Sequence, residues 1–160
     1  MTILLFAILF LILSALFSGS EIGFISANKL KVEIKTQKSG RKGKVFKSFF
    51  DDPQEFIASM LVGNNIALVV FTYLVSKMLS PFLEGMIEQD FLVLLLITVL
   101  TTIVVLLFGE YIPKTLFRIY GVDLLYGLTY PLQVIRAIIA LPSRFTLFLS
   151  DQILKRFYDN

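Results

Sequence analysis

Residues 91–108 are apolar except for three threonines, Thr98, Thr101 and Thr102, and carry no charge. A run of that length is read as a membrane-spanning helix. In hydrocarbon every backbone N–H and C=O must be paired within the protein, so only helices and closed barrels cross. Residues 3–25 and 56–79 are two further blocks of the same kind. The chain is thus expected to be an all-α membrane protein with three crossings. Composition agrees: 56% of its 160 residues are hydrophobic, against about 45–50% in soluble domains, and mean hydropathy is +0.80.

The first two blocks have polar breaks. Residues 3–17 are apolar apart from Ser14, then Ser18-Gly19-Ser20-Glu21 intervenes before apolar 22–25. Only with that cluster inside it does 3–25 reach the roughly 20 residues a crossing needs. No Lys or Arg precedes the run, which argues against a cleaved leader. The second block contains Ser59, Gly63, Asn64 and Asn65. Two adjacent amides inside a membrane helix are costly and point to function.

Charge placement supplies the orientation. Eight basic residues lie between 29 and 47, with Glu33 as the sole acid among them, whereas 81–90 holds Glu84, Glu88 and Asp90 and no base. By the positive-inside rule the first region faces the cytosol and the second, read as a loop, faces out. Lys114 and Arg118 return the chain to the inner side, so the N-terminus is expected out and the C-terminus in. In 41–52, Val45, Phe46, Phe49 and Phe50 lie among lysines, as in a helix resting on the inner leaflet and held by anionic lipid. Asp51-Asp52-Pro53 marks a helix start. Leu124–Leu149, within a stretch of about 122–158, is apolar but broken by Gly127, Pro131, Arg136, Pro142 and Arg144. Kinked interfacial helices belting the bundle are expected there. A straight fourth span would place Arg136 near the bilayer centre at about 2.5–3.5 kcal/mol, and survives as an alternative if Arg136 is paired. The tail from Arg156 is read as an exit into the cytosol.

There is no Cys and no His. Disulfides, soft-metal sites and the commonest general base are thereby excluded, and no nucleophile–base pair is evident, so no enzyme is expected. The basic residues flank apolar blocks without forming a nucleic-acid motif, which argues against that partner.

What remains is oxygen chemistry. Pro113 has no N–H, so the carbonyl of Gly109 loses its usual helical donor, next to the carboxylate of Glu110. At 100° per residue Ser14, Ser18 and Glu21 share a face. Asn65 lines up with Thr72 and Ser76, while Asn64 points about 100° away, so both amides reach one site only if the helix is locally unwound. The candidate ligands are Ser18, Ser20 and Glu21 from the first span, Asn64 and Asn65 from the second, Gly109 and Glu110 from the third. Hydroxyls, amides, a carbonyl and few carboxylates suit magnesium, calcium or sodium. Each residue also has a plainer reading. Glu110 and Lys114 make an i,i+4 pair. Glu21 marks a helix end. The Asn pair bonds helices together, and Ser14, Ser59, Thr98 and Thr101 pack.

Three stretches, Phe17-Ser18-Gly19-Ser20-Glu21, Val62-Gly63-Asn64-Asn65 and Phe108-Gly109-Glu110-Tyr111-Ile112-Pro113-Lys114, occur in this order on successive spans. In them the chain resembles the transmembrane domain of the CorC/cyclin M (CNNM) family, over essentially its whole length. The resemblance implies three helices with a juxtamembrane belt, a homodimer in the inner (plasma) membrane, and magnesium as the transported ion. Ser18, Asn64, Gly109 and Glu110 carry over as ligands, with Ser20, Glu21 and Asn65 completing the set. It further implies sodium-coupled export by alternating access to a dehydrated oxygen-ligand site between the three spans, for which Gly63, Gly109 and Pro113 are candidate hinges. Relatives of that family continue into paired cytosolic CBS domains that bind ATP. This chain ends at Asn160 without them and is read as the membrane part of a longer protein. A magnesium-sensing scaffold that modulates other transporters, and an ion channel, are the alternatives.

Overall fold

The computed structural model describes residues 1–38 and 40–158. Their helices are α1 (Thr2–Ile25), α2 (Lys29–Lys38), α3 (Gly40–Asp51), α4 (Pro53–Glu84), α5 (Asp90–Val104), a π-helical segment (Val105–Tyr111), α6 (Ile112–Gly127) and α7 (Thr129–Tyr158). No strand occurs among the described residues. Three helices are long and apolar enough to cross a membrane: α1, α4 and the 38-residue helix Asp90–Gly127 formed by α5, the π segment and α6. This all-α, three-span architecture is the one expected from the apolar blocks. Residues 159–160, the end of the expected exit into the cytosol, lie outside the described residues.

α4 begins as Asp51-Asp52-Pro53 predicts. The Asp52 carboxylate accepts from the Glu55 amide at 3.1 Å and Pro53 occupies the first turn, where its missing N–H costs nothing. Its other end differs from expectation. The helix continues through Pro81 to Glu84, so the acidic connection is shorter than 81–90. One backbone bond lost in a terminal turn is tolerable where solvent or headgroups can replace it.

α1 is the central helix, packed on α4, α6 and the π segment. Its contact with α6 is backbone to backbone: a Cβ on Gly121 would lie 2.9 Å from the Gly23 Cα. Membrane helices gain little from the hydrophobic effect between themselves, so close approach at small residues holds them. One turn away the Phe117 ring covers Gly19, and on the α4 side Phe17 and Ile139 cover Gly63. α6 bends at Tyr120, whose φ −110° and ψ 16° leave the helical range.

At the basic end, the ends of α1 and α4 meet α3 in a knot of rings. Phe24 stacks on Phe50 at 4.5 Å and on Phe56 at 4.7 Å, and Phe49 lies 4.9 Å from Phe56. Phe46, Phe49 and Phe56 are fully buried. The apolar side of α3 is thus turned to protein, and its lysines Lys44 and Lys47 remain exposed. Lys42 sits 4.4 Å over the Tyr126 ring, and Lys35 bridges Asp123 at 2.9 Å, tying α2 and α3 to α6.

α7 bends by 51° between Thr129–Pro142 and Leu147–Lys155. Arg136 makes a two-pronged ion pair with Glu55 in the first turn of α4. Both side chains are largely buried, and Arg136 also reaches Ser48 of α3. The arginine therefore sits at the level of the α4 N-terminus with its charge neutralised.

Candidate functional site

The π segment is where the third span departs from regular helix. The Ile112 amide donates to the carbonyl of Leu107, five residues back. It does not donate to Phe108, whose next donor in a π register would be residue 113, a proline. The Gly109 carbonyl loses its four-residue donor to the same proline. Two consecutive carbonyls, at Phe108 and Gly109, are thus short of their regular helical donors. Only Gly109 was legible from Pro113, because a π turn leaves no local signature in a run of valines and leucines. Such turns recur at functional sites.

α1 faces this segment through Ser14. A Cβ on Gly109 would lie 3.3 Å from the Ser14 hydroxyl, so glycine lets the two backbones close in. The same hydroxyl donates to the Asn64 amide oxygen of α4 at 2.7 Å. Ser14, expected only to pack, joins all three spans at one level. Its position on the face of Ser18 and Glu21 was the signal that it belonged with them.

Ser18 lies one turn along that face. Its hydroxyl is buried and has no hydrogen-bond partner, and such an orphan needs an ion or a water to satisfy it. Glu110 follows Gly109, is partly buried, and its carboxylate meets the Lys114 ammonium at 3.4 Å. Glu21, at the same end of α1, is near enough to feel the charges of both Lys114 and Glu110. Hydroxyl and amide oxygens thus form one layer, and charges form a second beside it.

Two candidates do not join. Asn65 is exposed, on a continuous α4 that neither unwinds nor bulges, so only Asn64 turns to Ser14. Ser20 is buried and unpartnered, but lies about 200° around α1 from Ser18. Among the described residues, no three Asp or Glu side chains converge to hold a metal. A cation here would rest mainly on neutral oxygens with one or two carboxylates.

Residues 5–158 match the family model described as the cyclin M transmembrane N-terminal domain. The chain belongs to the cyclin M family. Its three motif stretches fall where this cyclin M domain brings its spans together. The chain is similar to the UPF0053 inner membrane protein YfjD of Escherichia coli strain K12, with 28% identity over 126 residues, 77% of this chain and 28% of that protein. It is also similar to a UPF0053 protein of Haemophilus influenzae, 28% identical over 114 residues, 71% of this chain and 26% of that one. The cyclin M domain therefore spans about a quarter of the length of these curated relatives. Three apolar helices and these relatives make it a multi-pass membrane protein.

Proposed function

We propose that this domain moves a divalent cation, magnesium first, across the plasma membrane, with sodium as the coupling ion. Membership of the cyclin M family supports a role in divalent-cation transport. The observation that carries the reading is the meeting of Ser14, Asn64 and Gly109 beside an orphaned Ser18 hydroxyl, at the π segment that runs up to Pro113. In this reading Ser18, Asn64 and the carbonyls of Phe108 and Gly109 give neutral oxygens and Glu110 gives charge. Magnesium demands near-octahedral oxygen at about 2.0–2.1 Å and parts with water reluctantly. A partly hydrated ion on four or five such ligands meets that demand.

Lys114 holds Glu110 in the conformation seen here. An arriving cation takes over the carboxylate and releases the lysine, which couples occupancy to movement of the third span. Glu21 adds a second negative charge on the approach from the basic end. That end is taken to be cytosolic, with exposed Lys44 and Lys47 facing anionic lipid. The working unit is taken to be a homodimer, with ATP-binding CBS domains in the longer protein.

The test is magnesium efflux from loaded proteoliposomes containing the purified protein. Flux should depend on an opposing sodium gradient and vanish in Glu110→Ala. Wild-type vesicles that move no magnesium would leave the scaffold reading, and unchanged flux in Glu110→Ala would remove that carboxylate from the mechanism.

A further inference from the structure

The end of α1, the helices α2 and α3, and the start of α4 surround an open cavity of about 720 Å³. That lies within the roughly 300–1,000 Å³ of sites that hold a small molecule. Its floor is apolar: Val32 is buried, and Phe24 stacks on Phe50 at 4.5 Å. Ile25, the last residue of α1, and Pro53, the first of α4, also line it. The floor therefore sits at the level where the first span ends and the second begins.

Five charged side chains line the same cavity: Lys29 and Glu33 of α2, and Lys44, Lys47 and Asp51 of α3. All five are exposed, and none is in an ion pair among the described residues. Lys35 and Lys42 of the same two helices are engaged elsewhere, on Asp123 and on the Tyr126 ring of α6. Lys29 and Glu33 are four residues apart, as are Lys47 and Asp51. Each pair runs base before acid, the weaker order for pairing along a helix. Glu110 and Lys114 run acid before base and do pair, at 3.4 Å. One Glu33 oxygen accepts from Gln37 at 3.3 Å, within α2. Three ammonium and two carboxylate groups thus stand unneutralised around an apolar floor.

We propose that this cavity holds one phospholipid whose headgroup carries both a phosphate and a primary ammonium. The phosphate meets Lys29, Lys44 and Lys47, which act on it as point charges. The lipid's own ammonium meets Glu33 and Asp51. Its glycerol and first acyl carbons cover Phe24, Ile25 and Phe50. Such a headgroup answers all five charges, whereas a purely anionic one sets both carboxylates against like charge. A free phosphate answers the lysines but leaves the apolar floor in water, where burial under acyl chains is favourable. The site rests on the reading that places this end at the inner leaflet, and lipid binding is measured separately from flux.

The test titrates the purified, delipidated protein in detergent with phosphatidylethanolamine, phosphatidylglycerol and phosphatidylcholine of identical acyl chains. Bound copies are counted by native mass spectrometry. We expect one phosphatidylethanolamine per chain to bind about tenfold more tightly than either other lipid, because only its headgroup brings a charged N–H donor to the carboxylates. Glu33→Gln with Asp51→Asn should bring the three lipids to one level. Lys29→Gln with Lys44→Gln and Lys47→Gln should weaken all three. The five side chains are exposed, and substitutions at such positions leave a fold intact. Glycerophosphoethanolamine, the same headgroup without chains, should not compete. Phosphatidylglycerol or phosphatidylcholine binding as tightly as phosphatidylethanolamine overturns the proposal. So does an unchanged phosphatidylethanolamine affinity in either set of variants, or competition by the chain-free headgroup. Selective phosphatidylethanolamine binding by a protein whose proteoliposomes move no magnesium would sink the transport reading and leave the lipid site standing.

Discussion

The Ser14 hydroxyl donates to the Asn64 amide oxygen at 2.7 Å while touching the space over Gly109. One small side chain on α1 therefore sets the orientation of an amide on α4 and the approach of the third span. Supporting groups that orient a ligand are typically worth 10–100-fold in metal affinity. Ser14→Ala should weaken magnesium binding to the purified domain by about that factor, read by isothermal titration. Unchanged affinity would reduce Ser14 to packing.

Pro113 denies the π segment a donor. Pro113→Ala supplies an N–H that can cap a donor-poor carbonyl and let the segment relax towards α-helix. The variant should be as stable as the parent or more so, because a proline inside a helix costs about 3 kcal/mol. It should also bind magnesium more weakly. A thermal melt and a titration on the same preparation check both halves, and tighter binding would contradict the carbonyl's role.

Glu55 and Arg136 form a largely buried pair. Removing one partner strands the other's charge, at a cost of about 3–5 kcal/mol. Arg136→Met should lower the melting temperature in detergent sharply. The double change with Glu55→Leu should recover most of the loss, because no charge is then left unpaired. Equal melts for single and double variants would show that the two charges are not coupled.

Gly121 has no room for a methyl group against Gly23, whereas Gly127 has nothing within 4 Å of a Cβ. Gly121→Ala should cost about 1–3 kcal/mol by forcing α1 and α6 apart. Gly127→Ala should be neutral or slightly stabilising. Comparing their melts checks that the α1–α6 contact is made through backbone.

Much of the architecture was legible because hydrocarbon leaves few choices. Charge-free runs at 3–17 and 91–108 had to be helices, and Asp52-Pro53 had to start one. Legibility ended where one pattern serves two environments. Phe46 and Phe49 among lysines fit a helix resting on lipid as well as one packed on protein, and only the partner rings Phe24 and Phe56 decide between them. For the site, helical phase placed Ser14, Ser18 and Glu21 together. Phase could not choose between Asn64 and Asn65, because that depends on whether α4 unwinds, and it does not. It also could not reveal the Phe108 carbonyl, since a change of hydrogen-bond register leaves no mark in side-chain composition.

The rings of Phe24, Phe49 and Phe56 rivet the end of α1, the start of α4 and the whole of α3 at one depth. The start of α4 therefore cannot slide along the end of α1 without unstacking Phe24 from Phe56, and α3 is carried with them because Phe49 lies against the same ring.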